Sequence, residues 1–270
     1  LAYNQLIRKF PPQVVHIRNA VPLDLIAGVR TPNEKGKRYK EGDFLPELDD
    51  FLLDYAKKYG TPVGYDRERD GAMVQNIFPD RKEARSQISS SSAVVLQMHT
   101  EAAFHPYKPD WILLACVRGD KRAATTFATL DDILYELDEG SLWELRQPDF
   151  MTTVDKSFRT KGEPDKEYIV RPLVGSGDWV LTYDADLMRP LTDHAAKAFG
   201  KLGGAIKKRT RKVVLDAGDI LVINNRTTVH GRNSFKARYD GTDRWVKRVL
   251  VRETMPPPRK TKDGVILTDA

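Results

Sequence analysis

The stretch Ala93-Val94-Val95-Leu96-Gln97-Met98-His99-Thr100-Glu101 decides how this chain is read. Its apolar run predicts a β-strand. Along a strand, residues two apart point the same way, so His99 and Glu101 bring an imidazole and a carboxylate to one face. A second imidazole from a neighbouring strand would complete a facial set of three. His230, in Val229-His230-Gly231-Arg232, is the candidate, because Gly218-Asp219-Ile220-Leu221-Val222-Ile223 leads to it through a turn. Two imidazoles and one carboxylate on one face of a metal, with the opposite face open, form the donor set of non-haem Fe(II) oxygenases. His-x-Glu alone arises readily by chance among 5 His and 38 acidic residues, and a hydrogen-bonded His at a strand end is the plain alternative.

With 270 residues the chain can bury a substantial core and suits one domain spanning 1–270. Its 40% apolar and 30% charged residues are ordinary for a globular protein. No apolar stretch approaches the roughly 18 residues a membrane helix needs, so no membrane partner is expected. The single cysteine, Cys116, precludes an internal disulfide and falls in the apolar run 111–117, which suits a core strand and a cytoplasmic location. The chain opens on Leu1 without a signal-peptide pattern, which leaves its native start open. The net charge of +6 and the run Lys207-Lys208-Arg209-Thr210-Arg211-Lys212 would permit nucleic-acid binding. That run joins the end of a helical pattern to a strand and lacks any recognition signature, so no nucleic-acid partner is expected. The oligomeric state stays open.

Helical spacing predicts a helix over 45–59, stopped by Gly60-Thr61-Pro62, a second over 132–146 broken near Gly140, and a third over 192–208 with Thr192 or Asp193 at its start. Strand-like runs recur at 73–77, 93–99, 111–117, 168–174, 179–183, 212–215, 220–223 and 244–252. Many short strands with a few helices predict a mainly β fold with flanking helices, of the sandwich or jelly-roll kind. The polar stretch 155–166, with Gly162 and Pro164, reads as a lid.

An oxygenase that uses 2-oxoglutarate needs a cation for the far carboxylate of that cosubstrate. Arg244 follows His230 by fourteen residues, and alternation puts Arg244 and Arg248 on one face of their strand with Trp245 and Lys247 on the other. Each guanidinium can grip a carboxylate in a bidentate fork; a solvated edge-strand face is the alternative. Asp184 and Asp186, also two apart, can present two carboxylates to one pocket and suit a guanidinium or ammonium, or else decorate a β-turn.

Together, Met98-His99-Thr100-Glu101-Ala102-Ala103-Phe104-His105-Pro106, Lys108-Pro109-Asp110, Gly218 to Asn225 and Val229-His230-Gly231-Arg232 resemble the clavaminate synthase-like branch of the taurine dioxygenase-related Fe(II)/2-oxoglutarate dioxygenases. The resemblance runs from about Gly71 to Arg252. It implies a double-stranded β-helix (jelly-roll) core and a hydroxylase that consumes O2 and converts 2-oxoglutarate to succinate, in the company of natural-product enzymes that hydroxylate free arginine, lysine or asparagine. Carried over residue by residue, it implies that His99, Glu101 and His230 bind Fe(II) and that Arg244 binds 2-oxoglutarate, together with Thr126 or, one residue earlier, Thr125. It assigns Arg248 to the α-carboxylate of the substrate, Ser89 to the same end, and Asp184 and Asp186 to a basic side chain. A carboxylate ligand at Glu101 argues against halogenation, which in related enzymes replaces it with a small residue. Desaturation or cyclisation, a modified or carrier-tethered amino acid, and a non-enzymatic metal-dependent binding protein are the competing readings.

Overall fold

The structure is a computed structural model that describes residues 12–32, 44–159, 162, 164–175 and 179–268. Its frame is the antiparallel pair Trp111–Arg118 and Trp245–Arg252. Trp111–Arg118 is apolar up to its last residue, whereas Trp245–Arg252 carries Lys247 and Arg248 within its apolar run, and both strands are buried on both faces. Alternation sends Ile112, Leu114 and Cys116 into one cluster with Leu221, Ile223, Val246 and Leu250. The intervening Leu113, Ala115 and Val117 face the other way, toward Trp245, Val249 and the helix Pro46–Ala56. Burial pushes the Cys116 thiol up to about 12.

This pair sits in the middle of an eight-stranded sheet. Val14–Ile17 and Ile220–Asn224 extend it on one side, and Thr61–Tyr65, Val265–Ile266 and Thr261–Lys262 on the other, with Val74–Ile77 also paired to Trp245–Arg252. A four-stranded antiparallel sheet follows the order Arg211–Val213, Thr125–Thr129, Thr228–Arg232, Leu96–His99. Residues of both sheets line the cavity described below, so the architecture is the expected jelly roll. The helix Asp193–Arg209 covers the second sheet: Ala195, Ala198, Leu202, Ala205 and Ile206 recur at helical spacing and pack with Ala128 and Val229. Thr192 caps it, accepting the Ala195 N–H at 3.0 Å.

Several boundaries differ from the sequence reading. The helix expected over 132–146 is two helices, Leu130–Leu134 and Glu139–Glu144, and the break lies before Gly140. Asp138 causes it by capping the second helix through the Ser141 N–H at 2.9 Å. The strand expected from residue 93 begins at Leu96; the chain bends at Ala93 and Val94, where Arg232 reaches the Val94 carbonyl at 3.4 Å. Strands Val14–Ile17, Thr61–Tyr65 and Thr125–Thr129 were not anticipated; each has four or five residues and shows no long alternation. In the basic run, Lys208 and Arg209 pair with Glu136, and Arg211 with Asp132. Among the described residues no helix is long and apolar enough to cross a membrane. Residues 160, 161 and 163 of the expected lid, and the chain start, lie outside the described residues.

Candidate metal centre and substrate cavity

His99 closes the strand Leu96–His99 and stands directly across from His230 in Thr228–Arg232. Partners in register share a face, and the two rings lie 4.4 Å apart between centroids. Glu101 reaches them by a route that differs from simple alternation, since the strand ends at His99. Thr100 donates its N–H to the Tyr183 carbonyl at 2.7 Å, Asn225 accepts the Glu101 N–H at 2.7 Å, and Ala102 turns the chain away at φ 50°. A positive φ at a residue with a Cβ is costly and is typically found where a site dictates the backbone.

The ligand atoms of His99, Glu101 and His230 all lie within 4.8 Å of one another, with His230 Nε2 3.7 Å from Glu101 Oε2. His99 Nδ1 donates to the Gln97 carbonyl at 2.8 Å, which fixes the ring and makes Nε2 the nitrogen available to a metal. Burial, aided by His99, lowers His230 to about 4, so its imidazole is neutral at pH 7 as a ligand must be. Burial alone would raise the Glu101 carboxyl, but the Arg248 guanidinium and the two imidazoles more than reverse this and hold it well below the usual range. Two imidazoles and one ionised carboxylate on one face fit Fe(II).

A cavity opens over these three residues. Arg244, Val246 and Arg248 line it from the first sheet as alternation requires, while Trp245 and Lys247 face away and are buried. Their strand is central in the sheet, which removes the edge-strand alternative. Burial lowers the Arg244 guanidinium, and among the described residues no hydrogen-bond acceptor or ion-pair partner meets it. Arg248 is heavily engaged: Nη1 lies 2.7 Å from Glu101 Oε2, Nη2 lies 2.5 Å from Glu68 Oε1, and Nε donates to Gln75 Oε1 at 2.9 Å. Thr125, opposite Arg232 on the face of His230, lines the cavity. Thr126 lies on the other face, opposite Gly231, and its hydroxyl donates to Met98 Sδ at 3.4 Å.

Asp184 forms an isolated bridge with His99, so the Thr100–Tyr183 tie that sets Glu101 also delivers this carboxylate. Its Oδ1 accepts the N–H groups of Asp186 and Leu187, both at 2.8 Å, and among the described residues Oδ2 has no hydrogen-bond partner. Burial raises its pKa. Asp186 is exposed at the cavity wall, and Ser89 lines the wall too, its carbonyl held by Arg232. Thus the cavity gathers His99, Glu101, His230, Arg244, Arg248, Thr125, Ser89, Asp184 and Asp186, and leaves out Thr126.

The sequence reading missed Glu68, Gln75, Asp155 and Asn225. Glu68, buried at the wall, follows a strand through a turn in which Arg69 and Asp70 take φ of 49° and 55°; the Asp70-Gly71 pair was the available signal. Asp155 and Ser157 of the expected lid reach the cavity, and Lys156 between them bonds Glu83 at 2.7 Å.

Comparison with known proteins agrees with this geometry. The profile of the taurine catabolism dioxygenase TauD, TfdA family matches residues 46–250. The chain belongs to this family. It is 35% identical over 197 residues to an L-lysine 3-hydroxylase of Catenulispora acidiphila, covering 71% of this chain and 55% of that protein, so it spans little more than half of that relative's length. Among solved structures, this family member resembles an asparagine oxygenase in complex with Fe(II), 2S,3S-3-hydroxyasparagine and succinate (TM-score 0.83, 30% identity, covering 94% of this chain and 80% of that one). It also resembles the non-heme iron oxygenase OrfP in complex with Fe and alpha-ketoglutaric acid (TM-score 0.80, 32% identity, covering 95% and 81%). OrfP is known with (3S)-hydroxy-L-Arg as well. Fe(II) and 2-oxoglutarate are therefore the cofactors of this fold and donor set.

Proposed function

We propose that the protein hydroxylates an unactivated C–H bond of a free basic amino acid of the lysine or arginine class. The observation that carries this reading is the charge of the cavity. Glu68, Glu101, Asp155, Asp184 and Asp186 set five carboxylates against the three guanidinium groups of Arg232, Arg244 and Arg248, and Fe(II) and 2-oxoglutarate cancel each other's charge. A cationic side chain is what such a cavity attracts. Relatives named as hydroxylating lysine, and OrfP bound to hydroxyarginine, support the class.

His99, Glu101 and His230 would hold the iron, which with 2-oxoglutarate and O2 would supply the oxidising power, one oxygen atom going to the substrate and the other to succinate with loss of CO2. The chain's own residues do the placing. Arg244, which meets no partner among the described residues, takes the far carboxylate of 2-oxoglutarate, with the Thr125 hydroxyl beside it. Arg248 takes the substrate α-carboxylate and Glu68 the α-ammonium, while Ser89 adds a hydrogen bond at that end. Asp184, through Oδ2, faces the side-chain cation together with Asp186 and Asp155. Holding the amino acid at both ends fixes which C–H bond meets the iron.

The test is mass spectrometry of aerobic reactions containing the protein, Fe(II), ascorbate, 2-oxoglutarate and L-lysine, L-arginine or L-asparagine, scoring succinate and substrate mass together. A one-oxygen gain on lysine or arginine, with matching succinate, is the expected result. Turnover of asparagine alone would overturn the basic class, and loss of two hydrogens would point to desaturation or cyclisation. If no free amino acid couples to succinate formation, a modified or tethered substrate takes its place.

A further inference from the structure

We infer that Gln75 is a positioning residue that fixes how Arg248 and Glu68 meet the head group of the amino acid; this rests on the assignment of Arg248 and Glu68 above. Gln75 stands directly across from Arg248 in the first sheet, Val74–Ile77 against Trp245–Arg252, so the two side chains share a face. It is fully buried and lies behind the cavity wall rather than in it.

Its amide is polarised between the two charged groups. The acceptor, Oε1, takes the Nε–H of Arg248 at 2.9 Å and an N–H of Nη2 as well. The donor, Nε2, reaches Glu68 Oε2 at 3.2 Å and the Ala72 carbonyl at 3.4 Å. A guanidinium has five N–H groups. In Arg248 the Nε–H and both hydrogens of Nη2 are committed to Gln75 and Glu68, and one hydrogen of Nη1 to Glu101. The uncommitted N–H is on Nη1, at the end nearest the metal ligands. Gln75 thereby decides which end of the guanidinium a carboxylate can meet, and holds the ammonium acceptor Glu68 at a set distance from it. Leucine would fill the same space while freeing the Nε edge of Arg248 to rotate and leaving Glu68 short of a donor. Glutamate would keep an acceptor for Arg248 and set a second carboxylate against Glu68.

The experiment compares wild type, Gln75→Leu, Gln75→Glu and Arg248→Met, all loaded with Fe(II), on L-lysine, L-arginine and L-asparagine. The apparent KM for each amino acid, the succinate formed per hydroxylated product, and 2-oxoglutarate affinity from the visible absorption of the anaerobic iron complex are measured. Because the head group is common to all amino acids, Gln75→Leu is expected to raise KM at least tenfold, by the same factor for every amino acid the wild type accepts. The succinate-to-product ratio should rise and 2-oxoglutarate affinity should stay within twofold. Gln75→Glu should fall between this variant and wild type.

A purely structural role would reduce the active fraction and leave KM of the folded enzyme unchanged, and that result overturns the inference. If Arg248→Met raises KM and Gln75→Leu does not, Gln75 loses its role while the head-group assignment stands. If Arg248→Met leaves KM unchanged, that assignment fails and takes the role of Gln75 with it. Should Gln75→Leu fail to fold, Gln75→Glu decides by the same readouts.

Discussion

Arg244 and Arg248 lie four residues apart on one wall of the same cavity and differ in what holds them. Arg248 is fixed by Glu101, Glu68 and Gln75, whereas Arg244 meets no acceptor among the described residues. A buried guanidinium without a partner is costly and calls for an anionic ligand. Truncating one partner of a buried charge pair costs about 2–5 kcal/mol, so Arg244→Met is expected to weaken 2-oxoglutarate binding at least about thirtyfold, read from anaerobic titration of the iron complex. Arg248→Met should cripple amino-acid turnover with 2-oxoglutarate binding nearly intact; equal losses in both variants would mean that the two roles are exchanged. Asp184→Asn gives a separate test. Asparagine keeps an Oδ1 for the N–H groups of Asp186 and Leu187 and removes only the charge. Specificity for lysine or arginine over asparagine, as kcat/KM ratios, should fall about tenfold, and an unchanged ratio would sink the basic-side-chain reading. That these residues share one cavity was legible in the sequence, because each carries a charge at a meaningful spacing. Gln75 and Asn225 were not, since nothing in a chain marks which neutral amide will be buried between two charged groups, as Gln75 is, or against the backbone of a metal-ligand turn, as Asn225 is.

At the scale of elements, the metal ligands depend on how closely two strands of the second sheet approach. Gly231 follows His230, and a Cβ there would come within 2.5 Å of the Leu96 carbonyl oxygen and 3.1 Å of Thr126 Oγ1. The pairing shifts register between His230 and Arg232, so the tight passage lies beside the ligand pair itself. Gly231→Ala is therefore expected to push Leu96–His99 away from Thr228–Arg232. Overpacking of this kind costs about 1–3 kcal/mol. Thermal unfolding should show the loss as a fall in Tm of about 2–4 °C per kcal/mol for a chain of this size, and Fe(II) affinity should fall with it. Metal affinity equal to wild type in a destabilised variant would show that the passage sets stability alone. The sequence made the helices and the apolar strands legible through periodicity. It hid Thr61–Tyr65, with Pro62 and Gly64, and Thr125–Thr129, with three threonines, because their strand character comes from partners distant in the chain. It also placed Glu101 with His99 for an incomplete reason: the strand stops at His99, and the contacts of Thr100 and Asn225 bring the carboxylate round.

The same turn that presents Glu101 carries His105 into the core, and this ties the stability of the whole molecule to pH. His105 is 3% exposed, packs edge-on to Tyr65 of the first sheet at 5.1 Å, and accepts the Tyr107 N–H at its Nδ1 at 3.0 Å. Burial lowers it from 6.5 to about 4, and the weaker opposing pulls of its surroundings, Asp66 among them, do not restore it. Between these two values the unfolded chain binds a proton that the folded chain refuses, so stability rises with pH across this window and is lost as pH falls from 6.5 toward 4. At 1.36 kcal/mol per pKa unit, the loss comes to about 3 kcal/mol. His230 is depressed in the same range and adds its own share in metal-free protein. The contribution of His105 is therefore read as a difference: in metal-free urea unfolding, His105→Phe should lose less stability than wild type between pH 6.5 and 4, by up to about 3 kcal/mol, with the two profiles parallel above pH 7. Profiles that stay parallel down to pH 4 would show that the fold accepts a charged His105, either by letting water reach it or by moving Asp66 toward it.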